Sequence, residues 1–137
     1  MQVDDPELFA DLYRRIGDLL VSLWAEMVQR WSDLFAVFRI GDDMGLKTSP
    51  LLAPNTLIAH VVPQYRRLAE VIHRSGRPFL LHSCGCIFPI MDELIAAGID
   101  ARHSNEDVIA PFDEWVSRYG GRIGLFGGVD VDLICQS

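Results

Sequence analysis

The sequence predicts an α/β fold built on a parallel sheet. Stretches with apolar residues at helical spacing alternate with short runs that are apolar throughout, in the order helix, then strand and helix three times, then strand. A polar cluster follows each of these short runs. Alternation of this kind requires right-handed crossover connections between parallel strands. A (β/α) barrel and an open doubly wound sheet both satisfy the pattern.

Length and composition predict a single soluble domain. The chain has 137 residues, of which 50% are hydrophobic and 23% are charged. A formal net charge of -7 argues against nucleic acids and anionic membranes as partners, because both are bound through clustered Lys and Arg. The acidic start of the chain does not resemble a signal peptide, and three cysteines, an odd number, favour a reducing compartment. We therefore expect a cytoplasmic protein.

The first predicted element is a long amphipathic helix. Asp5 can cap it, and Pro6 suits its first position. Charged residues interrupt the stretch too often for a membrane span. Apolar residues at steps of three and four predict one wide buried face, formed by Leu8, Leu12, Ile16, Leu19, Leu23, Met27 and Trp31. The apolar run 34–40 then predicts a strand that is covered on both faces.

The second predicted helix leads into the strand that carries the best chemical motif. Pro63 should kink this helix because it removes one backbone donor. Gly76 ends the helix, and Pro78 opens a strand that reaches His82. The apolar side of the helix is predicted to be Leu57, Ile58, Val61, Val62, Tyr65, Leu68, Ala69 and Ile72.

Two shorter helices and two strands complete the alternation. One helix follows residue 86 and ends before Gly98, and a brief strand is expected over 100–103. Pro111 begins the next helix, and the fourth strand covers 123–126. The inward residues of the helix after residue 86 are predicted to be Ile87, Ile90, Met91, Leu94 and Ile95. Those of the helix that Pro111 begins are predicted to be Phe112, Trp115, Val116 and Tyr119.

The polar clusters should meet at one edge of the sheet. In parallel α/β folds, the carboxyl ends of the strands lie together, and ligands and catalytic residues gather there. Each predicted strand supplies such residues, in chain order Asp42 and Asp43, His82 and Cys84, His103 and Glu106, and Asp130.

His82-Ser83-Cys84 can hold a soft metal. On a strand, the two-residue period points both side chains to the same face. Zinc takes four ligands, or three and an open position, so this pair needs at least one further ligand from elsewhere. Cys86 is a further candidate if Gly85 turns the backbone back. The alternative is that these cysteines only pack, as buried thiols often do, and that is the role we expect for Cys135.

The remaining candidates have polar and structural interpretations. Asp42 and Asp43 can supply a general base or position a polar substrate, or they can accept backbone bonds in a loop. His103 and Glu106 can form an orienting pair or can simply be solvated. Gly127 and Gly128 have no side chains and therefore allow a ligand to approach the backbone closely.

Four strand ends together resemble those of one protein superfamily. The superfamily is that of uroporphyrinogen decarboxylase and the corrinoid methyltransferases, and the similarity runs in order from about residue 34 onward. The runs that carry it are Gly41-Asp42-Asp43-Met44-Gly45, Pro78-Phe79-Leu80-Leu81-His82-Ser83-Cys84-Gly85, Ala101-Arg102-His103-Ser104-Asn105-Glu106 and Leu125-Phe126-Gly127-Gly128-Val129-Asp130.

The resemblance implies a half-barrel. The superfamily has a (β/α)8 barrel, which needs about 250 residues. This chain would then be a fragment of a TIM-type barrel, a single partial domain over 1–137 that corresponds to roughly strands five to eight, without the first strands or the C-terminal end. Its open edges should favour self-association.

The methyltransferase branch supplies the leading functional expectation. That branch binds zinc through a His-x-Cys pair and a distant second Cys, and the zinc activates a thiol to accept a methyl group from a methylated corrinoid. The resemblance implies that His82 and Cys84 are metal ligands and that the third protein ligand would lie beyond Ser137. Cys135 comes too early to match it, and Cys86 stands where the family usually has Asn or Asp. The partners would be a corrinoid protein or a small-molecule substrate.

Two alternatives remain open beside this expectation. The decarboxylase branch acts in porphyrin biosynthesis and needs no metal, and its substrate-holding residues lie in the N-terminal half of the barrel. A catalytically inactive half-barrel is the other alternative. For an active chain, the expected catalytic residues are Asp42, Asp43 and His103, and the expected substrate-binding residues are Glu106, Gly127, Gly128 and Asp130.

Overall fold

One parallel sheet organises the chain, as the alternation of helices and strands predicts. The computed structural model of the protein describes residues 4–104, 109–127 and 134–136. Within these residues, the strands are β1 (Phe38–Gly41), β2 (Phe79–His82), β3 (Ala101–His103) and β4 (Gly124–Phe126). They pair in the order β1-β2-β3-β4, and every pairing is parallel. The α/β prediction is confirmed, and the arrangement is consistent with half of a TIM-type barrel.

Helices connect the strands. The α-helices are α1 (Pro6–Trp31), α2 (Pro54–Thr56), α3 (Val62–His73), α4 (Met91–Ala96) and α5 (Phe112–Tyr119). Short 3-10 turns occupy Ser32–Leu34 and Phe88–Ile90, and a π-helical turn at Leu57–Val61 joins α2 to α3. This π turn ends two residues before Pro63, so the irregularity expected there takes the form of a locally widened helix.

The core lies between the sheet and the helices, and β2 runs through its middle. Phe79 and Leu81 are fully buried because their side chains point to the helix-covered face. The predicted apolar side of the second helix is confirmed, with Leu68 and Ile72 among its most buried members. Leu80 and His82 point to the opposite, interior face of the sheet and are only partly buried.

Helix α1 does not bury the face that its periodicity predicts. Asp5 caps it as expected, and its side chain accepts a bond from the Leu8 amide at 2.9 Å. The predicted buried stripe, however, is largely exposed: Leu8 53%, Leu12 39%, Ile16 45%, Leu19 69%, Leu23 53% and Trp31 44%. The buried residues are instead Phe9, Gly17, Trp24 and Val28. Apolar residues occupy two sides of this helix, and only one side contacts α3 and β1.

Three smaller expectations about burial are also wrong, because no other described element covers the residues concerned. The run 34–40 forms a strand only from Phe38, and Leu34 and Phe35 are 76% and 44% exposed. Val116 is 47% exposed because it faces away from the sheet, whereas its neighbours Trp115 and Tyr119 are buried. Cys135 is exposed, because the helical turn over 134–136 lies at the surface. In the described ranges, no helix combines the length and the apolar character that a membrane crossing needs.

The exposed stripe of α1 predicts self-association of the chain. Contiguous apolar surface on a helix is costly to hydrate, and edge strands such as β1 add backbone groups that can pair with a second copy. We expect the double variant Leu19→Glu with Leu23→Lys, whose new charges can pair along the helix, to lower the mass seen by light scattering. Glu7→Gln with Arg14→Gln, which changes two exposed charges on the polar side of the helix and keeps the net charge, is the control. A wild-type chain that stays monomeric across all concentrations would contradict this expectation.

Candidate functional site

The carboxyl ends of the strands form one mouth. Gly41, His82, His103 and Phe126 stand side by side in register on the interior face. Backbone bonds extend this alignment beyond the strands: the Asp42 amide donates to the His82 carbonyl at 2.9 Å, and the Ser83 amide to the His103 carbonyl at 3.2 Å. The polar clusters after β1, β2 and β3 therefore begin at one level, as the sequence predicts.

The loops after β1 and β2 touch through two glycines. Gly85 has a φ of +83°, and a Cβ on it would overlap the carbonyl of Gly45. A Cβ on Gly45 would lie 2.6 Å from the Cys86 nitrogen, so neither position has room for a side chain. The Cys86 amide donates to the Leu46 carbonyl at 2.7 Å across the same contact.

A buried serine completes the connection between these loops. Ser83 is fully buried, and its Oγ accepts a hydrogen bond from the Met44 amide at 3.1 Å. Arg102, which is buried beneath the Trp115 ring, donates to the Ser83 carbonyl at 3.2 Å. Together these bonds hold the residues on either side of Met44 and Ser83 next to each other.

Asp43, His82 and Cys84 consequently meet in one cluster. One ligand-type atom from each lies within 4.8 Å of the others. Cys84 Sγ is 3.4 Å from His82 Nε2, and His82 Nε2 is 3.5 Å from Asp43 Oδ1. The Cys84 amide donates to Asp43 Oδ1 at 2.9 Å, which fixes the carboxylate beside the thiol. The His82 side chain is 16% exposed and that of Asp43 is 60% exposed, so the cluster opens to solvent on the aspartate side.

The spacing of these donors fits a tetrahedral metal. Zinc holds N, O and S donors at about 2.0 to 2.3 Å, which places neighbouring donors of a tetrahedron about 3.3 to 3.8 Å apart. The Sγ to Nε2 and Nε2 to Oδ1 distances, 3.4 and 3.5 Å, both fall in this range. The cluster therefore has donor types that zinc accepts, and two of its three donor separations match those of neighbouring zinc ligands, while the third is within 4.8 Å.

Electrostatics keep His82 in the form that binds metals. Burial lowers the pKa of His82, and the positive charge of Arg39 acts in the same direction, while the carboxylate of Asp43 opposes them. The neutral imidazole that results has a lone pair to offer. Arg39 was not predicted as a site residue, although a lone charge within an apolar strand is a signal that could have found it.

His103 lies against His82 on the side away from the cluster. The two Nδ1 atoms are 2.6 Å apart, and the ring centroids are 4.8 Å apart with the planes inclined by 35°. The structure thus brings this predicted catalytic residue into direct contact with a candidate ligand.

Asp42 and Asp43 are consecutive but face different environments. Asp42 Oδ2 accepts a hydrogen bond of 2.7 Å from the hydroxyl of Tyr65. Burial, and then the nearby negative charge of Asp42, raise the pKa of Tyr65, so its hydroxyl stays protonated and keeps donating. Asp42 also lines a mainly apolar cavity of about 340 Å³ between α1, β1 and α3. The structure therefore separates Asp42 from the cluster that contains Asp43.

The other predicted site residues lie outside the cluster or outside the described residues. Gly127 packs against the Ser104 carbonyl, from which an added Cβ would be 2.9 Å away, so its close approach is to the protein's own backbone. Cys86 is partly buried and does not belong to the cluster found among the described residues. Glu106, Gly128 and Asp130 lie outside the described residues.

The glycine contact predicts an unequal response to two alanine substitutions. Gly85→Ala places a Cβ in the left-handed backbone region and against Gly45, so we expect a loss of about 2 to 5 kcal/mol in the free energy of unfolding. Gly76→Ala is the matched control, because Gly76 has a similar φ of +72° with open space around it. It should lose only about 1 to 2 kcal/mol. Equal losses in urea titrations of the two variants would contradict a tight contact between the loops.

Comparison with known proteins identifies the family of this chain. A search of curated proteins and a search of solved structures each found no match. The model of the family described as Uroporphyrinogen decarboxylase (URO-D) matches residues 1–137, the whole length of the sequence. The superfamily suggested by the four strand ends is thereby confirmed. This chain belongs to the uroporphyrinogen decarboxylase family.

Proposed function

We propose that this chain carries the metal-binding part of a zinc-dependent methyltransferase, which moves a methyl group between a methylated corrinoid and a thiol. The observation that supports it best is the spacing of three donor atoms. Cys84 Sγ is 3.4 Å from His82 Nε2, which is 3.5 Å from Asp43 Oδ1. Asp43 serves as the third protein ligand in this proposal, in place of the later cysteine that the resemblance implies.

Each residue of the cluster has a defined task. His82 would hold a zinc ion through neutral Nε2, Cys84 through a thiolate and Asp43 through a carboxylate, and the two negative charges would balance the dication. The solvent-exposed side of Asp43 is where a thiol substrate can enter. A bound zinc ion supplies a lowered thiol pKa and a fixed thiolate position at neutral pH.

The transfer itself balances without a further reagent. The thiol loses its proton to solvent, and its sulfur forms a bond to the methyl carbon. The cobalt–carbon bond of the methylated corrinoid breaks, and its electron pair remains on the corrinoid. The protein contributes by holding the thiol sulfur at the mouth, where a corrinoid on a partner protein can reach it.

Metal binding tests the ligand set directly. We expect about one zinc per wild-type chain, and a loss of affinity in His82→Ala, Cys84→Ala and Asp43→Ala that exceeds the ~10- to 100-fold typical of residues outside the coordination shell. Cys86→Ala and Cys135→Ala, which change thiols outside the cluster, should bind zinc as the wild type does. Metal analysis and competition titrations supply the measurement. A wild-type chain without zinc affinity would rule out the metal role.

Turnover distinguishes methyl transfer from the rival decarboxylation of a tetrapyrrole acetate. Arg39 favours the rival, because it is an exposed cation on the same sheet face as His82 and can attract a carboxylate. We expect methylation of a simple thiol by methylcobalamin, loss of that activity with EDTA or Cys84→Ser, and recovery with added zinc. Decarboxylation of uroporphyrinogen that is unaffected by EDTA and by Cys84→Ser would instead support the rival.

A further inference from the structure

The contact between His82 and His103 carries a further inference, which rests on the metal site proposed above. Their Nδ1 atoms are 2.6 Å apart. A neutral imidazole has one N–H and one lone pair, so one of the two Nδ1 atoms must donate and the other must accept. The bond therefore links the proton position on one ring to that on the other.

Only one of the two arrangements leaves His82 able to bind a metal. If His82 Nδ1 donates, its Nε2 carries a lone pair, and this atom is the one that lies 3.4 Å from Cys84 Sγ and 3.5 Å from Asp43 Oδ1. If His103 donates instead, Nε2 of His82 carries the proton and cannot be a ligand. A second-layer acceptor of this kind raises the basicity of a metal-binding histidine and fixes its orientation.

The sheet holds His103 in place for this task. His82 and His103 are partners in the register of β2 and β3, so both side chains leave the same face at the same level. The Ser83 amide bonds to the His103 carbonyl at 3.2 Å, which ties the end of β3 to the HxC motif itself. The ring centroids are 4.8 Å apart whereas the two Nδ1 atoms are 2.6 Å apart, so the rings meet through their nitrogen edges.

We infer that His103 is a positioning residue whose Nδ1 accepts the proton of His82 Nδ1 and so presents the unprotonated Nε2 of His82 to a cation shared with Cys84 and Asp43.

Cobalt(II) binding to the full chain tests this assignment. Co(II) replaces zinc in tetrahedral sites, and its visible and thiolate charge-transfer bands report both affinity and geometry. His103→Leu removes the acceptor at similar size, and we expect a ~10- to 100-fold weaker Kd. His103→Asn keeps an acceptor close to the position of Nδ1 and should restore most of that affinity. His73→Ala is the control, because His73 pairs with Asp100 at the opposite edge of the sheet.

The outcomes separate this inference from the function on which it rests. No Co(II) bands in the wild type would defeat the metal site itself. Bands in the wild type with an unchanged Kd in His103→Leu would overturn the role of His103 and leave the site standing. Equal weakening in His103→Leu and His103→Asn would also overturn it, because loss of packing would then explain the effect.

A measurement on the wild type protects the test against a variant that fails to fold. Nitrogen-15 spectra of the zinc-loaded chain distinguish the two tautomers of each histidine. We expect His82 to carry its proton on Nδ1 and His103 on Nε2. A zinc-loaded chain in which His82 is protonated on Nε2 would overturn the inference.

Discussion

The contact between Gly45 and Gly85 is the constraint on which the mouth depends. Two loops that follow neighbouring strands cross there with backbone against backbone, which leaves no room for a side chain on either glycine. The buried hydroxyl of Ser83 supports the same crossing by accepting the Met44 amide. Because the loops touch at this point, the carboxylate of Asp43 lies beside Cys84 and accepts its amide at 2.9 Å. The arrangement of the cluster is therefore a consequence of close backbone packing one residue beyond Cys84 and two residues beyond Asp43.

The two faces of the sheet divide the polar residues into two environments. On the helix-covered side, Asp42 accepts a bond from the buried Tyr65 and borders an apolar cavity. On the interior side, Asp43 and His82 face each other across 3.5 Å. Adjacent residues at the end of a strand point to opposite faces, so Asp42 bonds to Tyr65 while Asp43 joins the cluster with His82 and Cys84. The two carboxylates are not interchangeable.

Local periodicity predicted which side chains share a face of one strand or helix, whereas the packing of one element against another depends on long-range contacts. The common face of His82 and Cys84 follows from strand geometry alone, and the register with His103 follows from parallel pairing. The position of Asp43 beside Cys84 depends on a crossing of loops about 40 residues apart, which no local pattern encodes. Helix α1 shows the same limit, because its spacing reveals apolar sides but not which side another element covers. Leu19 and Trp24 both fit a helical stripe, and only Trp24 meets β1 through Phe38.

The location of the three candidate ligands along the chain has a consequence for how the protein acquires its site. Asp43 lies two residues beyond β1, His82 ends β2, and Cys84 lies two residues beyond β2, so all three lie in or just after one strand–helix–strand unit. A growing chain therefore contains all three candidate ligands before β3 and β4 are made. Metal binding can stabilise that unit early, since binding energy adds to folding energy when the unfolded chain has no preformed site. The proposed centre is thus a property of one crossover and does not need a closed barrel for its ligands.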